Sequence, residues 1–112
     1  MELAQRIEGS VLVAKACDHR VDARQAADFK LQLLALVAAD HPLIALDLSD
    51  VDFIDSSGLG AIVAAHKQLG TRGNLVIVGA KPAVANLFRL TRMDKVFRMY
   101  PAEAEALAAL MH

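Results

Sequence analysis

The sequence predicts an α/β fold built on a mixed sheet, and three observations lead there. Residues 43–48 (LIALDL) and 75–78 (LVIV) are short apolar runs of the kind buried on both faces of a parallel sheet. Stretches between and after them repeat apolar residues at helical spacing. Near the start, residues 2–7 and 11–16 (VLVAKA) are strand-like and separated only by the turn signal Glu8-Gly9-Ser10, a connection that joins antiparallel strands. The expected order is β-β-α-β-α-β-α-(β)-α, with the parallel core strands side by side in sequential order through right-handed crossovers. Residues 1–112 read as one domain of ordinary size.

Each element has its own justification. Asp22 offers an N-cap, and Gln25 three residues later completes a capping box. Behind it Ala26, Phe29, Leu33, Leu36 and Val37 form one helical face, roughly five turns long, which Asp40-His41-Pro42 ends. Residues 43–48 follow as a strand and Ser49–Asp55 as a connector. A second helix begins near Ser56 or Ser57, with Leu59, Ile62, Val63 and Leu69 as its stripe and Gly70–Gly73 as its end. After the strand 75–78, Lys81-Pro82 opens a third helix at a position where proline's missing N–H costs nothing. Val84, Leu87, Phe88 and Thr91 line its face. A short strand is expected at Val96–Arg98, and Pro101 starts an Ala-rich helix to Leu110. The core should include Leu46, Leu48, Ile62, Val76, Val78 and Leu87, with Phe29, Phe53, Phe88 and Phe97 as its bulky pieces.

Composition narrows the function. Of 112 residues 55% are hydrophobic, enough for a packed core. Twelve Lys and Arg against thirteen Asp and Glu leave a net charge of −1, which gives no broad attraction to nucleic acid. No run approaches the ~20 apolar residues of a membrane span, and MELAQRIEGS lacks the apolar core of a secretory leader, so a cytoplasmic protein without membrane insertion is expected. Cys17 is the only cysteine; it reads as a small buried residue at a strand end. His19, His41, His66 and His112 are too scattered for a metal site. No cofactor motif and no catalytic constellation is visible, so the chain reads as a non-enzyme. Lys67, Arg72, Arg89, Arg92, Lys95 and Arg98 make the second half basic-leaning, a solvated surface or a dock for an acidic partner.

One segment calls for explanation: Phe53-Ile54-Asp55-Ser56-Ser57-Gly58-Leu59-Gly60. It lies where a strand connection meets a helix start, beyond the carboxyl ends of the strands, where α/β sheets gather their sites. Helix N-termini also favour anions and phosphates. Read alone, the segment is satisfied by Ser56 or Ser57 as an N-cap, with glycines allowing close helix packing. It is no dinucleotide fingerprint, since Val63 stands where a third glycine belongs. It has no Gly-Lys-Ser/Thr phosphate loop. Ile54 and Asp55 occupy the positions where a nucleophile elbow needs glycine.

Motif and element order together resemble the STAS domains, named for sulphate transporters and anti-sigma factor antagonists, and in particular the stand-alone antagonists. Residues 46–60 (LDLSDVDFIDSSGLG) are similar to the family's hallmark stretch almost letter for letter. Val21-Asp22-Ala23, Leu75–Gly79, Pro82-Ala83-Val84, Met93–Phe97 and Tyr100-Pro101 through Ala106-Leu107 agree in order. The resemblance implies a partner-switching circuit. An anti-sigma factor that is also a serine kinase binds the antagonist and phosphorylates the second serine of the DSSG stretch, and a serine phosphatase reverses this. Carried over by position, the acceptor is Ser57, and Asp22, Asp55, Ser56, Gly58 and Leu59 make up the partner surface. The chain departs from the family at His19, where a glycine is usual. Two other readings share the fold: an accessory subunit of a lipid-transport ATPase and a scaffold of a stress-signalling assembly. A small nucleotide-binding protein using the Ser57-Gly58 helix start is the third alternative, and it lacks a base, a metal cluster and a phosphate loop.

Overall fold

The computed structural model describes residues 1–111. Its seven strands and four helices follow the order β1 (Leu3–Glu8), β2 (Val11–Ala16), β3 (Arg20–Val21), α1 (Ala23–Ala38), β4 (Leu43–Asp47), β5 (Phe53–Ile54), α2 (Ser56–Leu69), β6 (Asn74–Val78), α3 (Pro82–Leu90), β7 (Met99–Tyr100) and α4 (Glu103–Leu110). Five strands form the main sheet in the order β1-β2-β4-β6-β7; β3 and β5 make a separate small pair. The first hairpin is antiparallel, with Leu3 opposite Ala16 and Glu8 opposite Val11, and every other pairing is parallel.

Strand alternation divides the apolar side chains between two faces. Leu12, Ala14, Ala16, Ile44, Leu46, Leu48, Leu75 and Ile77 face the larger core, where Phe29, Leu33, Leu36 and Val37 of α1, Leu59, Ile62 and Leu69 of α2, and Val84 and Phe88 of α3 cover them. Val11, Val13, Ala45, Val76 and Val78 turn the other way and meet Ala106, Leu107 and Leu110 of α4. The continuous apolar runs at 43–48 and 75–78 are thus explained by helices on both sides. Polar contacts tie α4 down, since Arg6 of β1 pairs with Glu103 and with Glu8.

Several details differ from the sequence expectation. The last strand is Met99–Tyr100 rather than Val96–Arg98. A 3-10 turn at Met93–Lys95 carries Phe97 into the core, edge-on to Phe88 at 5.9 Å and to His66 at 4.9 Å, so pairing with Ile77 and Val78 begins only at Met99. Helix α4 starts at Glu103, two residues after Pro101, because the Tyr100 carbonyl still accepts from Gly79 N–H and the chain must turn before it can coil. Leu87 is half-buried on the flank of α3, whose inward pair is Val84 and Phe88 at i and i+4. Cys17 is exposed, since Ala16 points into the core and strand alternation turns the next side chain away. Phe53 also faces outward, 40% exposed, because its neighbour Ile54 takes the inward position. His112 lies outside the described residues. No described helix is long and apolar enough to cross a membrane.

Leu46 sits at the centre of the sheet with no exposed surface. Leu46→Ala is expected to lower unfolding free energy by about 2–5 kcal/mol in urea titration, as truncations in well-packed cores do.

Candidate functional site

The site is built on the smallest sheet in the molecule. Strands β3 and β5 pair in parallel for two residues each, Arg20 beside Phe53 and Val21 beside Ile54. The next residue on each strand is an aspartate, so the pairing sets Asp22 and Asp55 side by side. Each aspartate is the N-cap of the helix that follows, α1 after Asp22 and α2 after Asp55. Two helix N-termini therefore emerge together at one end of the sheet.

Asp22 caps its own helix in the expected capping box. Its Oδ1 accepts from Arg24 N–H at 3.0 Å, and Gln25 Oε1 accepts from Asp22 N–H at 3.2 Å. The Arg24 N–H, helped by the Arg20 guanidinium, holds the Asp22 carboxyl below the usual carboxylate range. Asp55 does more. Its Oδ1 accepts from Gly58 N–H of α2 at 3.0 Å, and its Oδ2 accepts from Ala23 N–H of α1 at 3.1 Å. One carboxylate closes the starts of two helices, satisfying donors that have no partner within either helix.

This arrangement corrects the capping expectation for the serines. Asp55 is the N-cap, so Ser56 and Ser57 are the first two residues inside the helix, and both are exposed. The Ser57 hydroxyl is left free of the capping role, beside first-turn N–H groups and the positive end of the α2 dipole. The two residues after it are internal. Gly58 is buried, and a Cβ there would lie 2.4 Å from the Val21 carbonyl oxygen and 2.8 Å from Ile54 Cγ1. Leu59 is buried in the core. Gly58 and Leu59, expected at the partner surface, instead support the site from within. Gly60 is different again, exposed with open space where its side chain would be.

A charged rim surrounds Ser57's end of the sheet, and sequence reasoning missed it. Arg20 lies with its guanidinium 4.4 Å above the Phe53 ring and bonds Asp22 Oδ2 through Nε at 3.3 Å. Asp52 receives His19 Nδ1 at 3.2 Å on one oxygen and Lys81 Nζ on the other, and Lys81 holds the Asp52 carboxyl below its ordinary range. His19 stands where the resemblance led one to expect a glycine. Its backbone is not left-handed, since Asp40 and Arg92 are the non-glycine residues with positive φ, and its carbonyl accepts from Asp52 and Phe53 N–H at 2.8 and 3.2 Å. The turn therefore accommodates a side chain. The only sequence signal for the rim was the Val-Asp and Ile-Asp repetition before each helix.

Two predictions follow from the geometry. Asp55→Ala should cost about 1–4 kcal/mol, twice the loss of an ordinary cap, whereas Ser57→Ala should stay within ~0.5 kcal/mol of wild type. Asp55→Asn should fall between, because an amide has one acceptor oxygen for two N–H donors; thermal and urea unfolding of the three variants reads this order. The glycines should split in sign. Gly58→Ala forces α2 away from β3 and should destabilise by about 1–3 kcal/mol, while Gly60→Ala, in open space within a helix, should stabilise by up to about 1 kcal/mol.

Comparison with known proteins places this geometry in a family. The STAS domain matches residues 5–106. The anti-sigma-B factor antagonist of Listeria monocytogenes is 30% identical over 86 residues, 76% of this chain and 75% of that one. The crystal structure of an anti-sigma factor antagonist from Mycobacterium paratuberculosis superimposes with a TM-score of 0.91 at 29% identity, over 99% of this chain and 94% of that chain. The Bacillus cell fate determinant SpoIIAA in its phosphorylated form shares the fold at 15% identity, with a TM-score of 0.72 over 96% of this chain and 98% of that one. With the match running through nearly all of its length and its strand order, this chain belongs to the STAS domain family.

Proposed function

We propose that this chain is an anti-sigma factor antagonist: it binds an anti-sigma factor that is also a serine kinase, phosphorylation of Ser57 releases the complex, and a serine phosphatase restores it. The observation that carries the reading is the exposed Ser57 hydroxyl at the second position of α2, relieved of capping by Asp55. The names of the relatives, anti-sigma factor antagonists among them, supply the partner class. In this role the chain is a binding module and its partners do the chemistry.

Energetics support a switch that spares the fold. A phosphoryl group on Ser57 adds about −1.5 to −2 charge. At the start of α2 that charge gains ~0.3–1 kcal/mol from the helix dipole. In a complex the same charge must be desolvated beside Asp55 and Asp22, while Arg20 and Lys81 at this end of the sheet are already engaged by Asp22 and Asp52 and the exposed Arg24 lies in the first turn of the neighbouring helix α1. An unmatched charge buried in an interface costs about 2–5 kcal/mol, roughly 30- to 5,000-fold in affinity. Gly60 fits the same surface. It lies three residues after Ser57 on the same helical face, and no packing inside the molecule requires a glycine there, so a partner backbone can approach closely.

The test uses the cognate kinase and calorimetric binding to it. Phosphate should appear on Ser57, and with Ser57→Ala none should appear on Ser56. Ser57→Ala should bind as wild type does, Ser57→Asp more weakly, and the phosphorylated protein weakest, all with the same circular dichroism. Equal affinity for all of these would overturn the proposal.

A further inference from the structure

A second surface lies away from Ser57, in the segment 89–98 (RLTRMDKVFR). It carries Arg89, Arg92, Lys95 and Arg98 against Asp94 alone, a net of +3 in a chain whose overall charge is −1. Helix α3 leaves the Ser57 end of the sheet, where Lys81 reaches Asp52, and β7 runs parallel to β6. The segment between them must therefore return to the opposite end of the strands. All four cations are exposed and none forms an ion pair among the described residues; Arg89 donates to the Asn86 side-chain oxygen, a neutral partner.

Two large apolar side chains sit among these charges, Leu90 at 74% exposure and Val96 at 45%. Next to them Asp94, Phe97, Arg98, Met99 and Tyr100 line an open groove of about 480 Å³ along the edge strand β7. Completing the α3 C-terminus does not explain the cations, since other groups bond its last carbonyls. Thr91 Oγ1 donates to Leu87 O at 2.7 Å and to Phe88 O at 3.2 Å, and Arg92 N–H donates to Arg89 O at 3.1 Å. Arg92 itself has φ 61° and ψ 18°, a left-handed position where helices ordinarily place glycine. A long cation is kept there at a conformational cost glycine would not incur.

We propose that residues 89–98 are a docking site for an acidic, leucine-bearing segment of a protein partner, separate from the Ser57 surface. Four exposed cations without an ion pair call for carboxylates, and the exposed Leu90 and Val96 call for an apolar counterpart. A nucleic acid would leave those two apolar groups without a counterpart, and of the groove's two aromatic side chains Phe97 is buried and Tyr100 only half-exposed, a poor platform for stacked bases. Two apolar side chains are too few to anchor the protein to a bilayer.

The test is fluorescence anisotropy with a labelled amphipathic peptide of about four helical turns, Leu on one face and Glu on the other, at moderate salt. Amide shifts in the ¹⁵N-labelled protein should locate binding at residues 89–98. Combined Arg92→Glu and Lys95→Glu should weaken binding about tenfold or more, and Leu90→Ser several-fold. Arg92→Gly separates binding from folding, since it should melt no lower than wild type and still bind more weakly. Ser57→Asp should bind the peptide as wild type does, which keeps this result independent of the Ser57 proposal. Equal binding of polyglutamate, tighter binding of a DNA duplex or anionic vesicles, or full affinity in Arg92→Gly would each overturn the assignment.

Discussion

Both oxygens of Asp55 are committed to backbone N–H groups of different helices, Gly58 in α2 and Ala23 in α1, and the geometry of the whole site depends on that shared carboxylate. Each helix start has donors that no residue of its own helix can satisfy. Sharing one acceptor pair between them fixes the two helices relative to each other as well as capping both. The β3–β5 bridge brings the aspartate into range, and Gly58 lets the first turn of α2 rest on the Val21 carbonyl without obstruction. Serine, threonine or asparagine would cap either helix but not both, since none offers two charged acceptor oxygens in a fork.

With capping assigned to Asp55, the residues inside the helix divide cleanly between support and surface. Gly58 and Leu59 turn inward and hold α2 on the sheet, while Ser56, Ser57 and Gly60 stay at the surface. A modification at Ser57 then acts on whatever touches that surface and leaves the packing beneath it alone. The surrounding rim is held by ion pairs and by Arg20 stacked on Phe53, side chains that keep their charge while their positions are restrained. Such a surface has a definite pattern of charge before any partner arrives, and a preformed pattern favours one partner over another.

The opposite end of the sheet follows different rules. There the cations Arg89, Arg92, Lys95 and Arg98 outnumber the one acidic residue of the segment, Asp94, and Leu90 and Val96 among them are open to solvent. At the Ser57 end, His19, Arg20 and Lys81 are each matched by a carboxylate, and Arg24 is the exception. The contrast gives the molecule two chemically distinct ends on one rigid sheet. Neither end was separable from sequence, where basic residues are simply spread along the second half of the chain.

The α/β class, the antiparallel first hairpin, the two central strands, the Asp22 capping box and the three helices that cover the larger core are all legible in the amino-acid pattern. Those features are local: a period of 2 or 3.6, a proline or a capping pair is visible within a dozen residues. Family resemblance added Ser57 as the residue of interest. It took the packed fold to put Phe53 outside the core and Cys17 at the surface, to let Phe97 displace the last strand to Met99–Tyr100, and to choose for Leu59 between the helix stripe its spacing predicted and the partner surface its motif implied. Only that fold shows Asp55 joining helices whose bonded donors, Ala23 and Gly58, are 35 positions apart in the chain. A two-residue strand has no periodicity to detect, and a carboxylate's second oxygen leaves no mark on the pattern of its neighbours. Such contacts come into being only when distant segments are packed together.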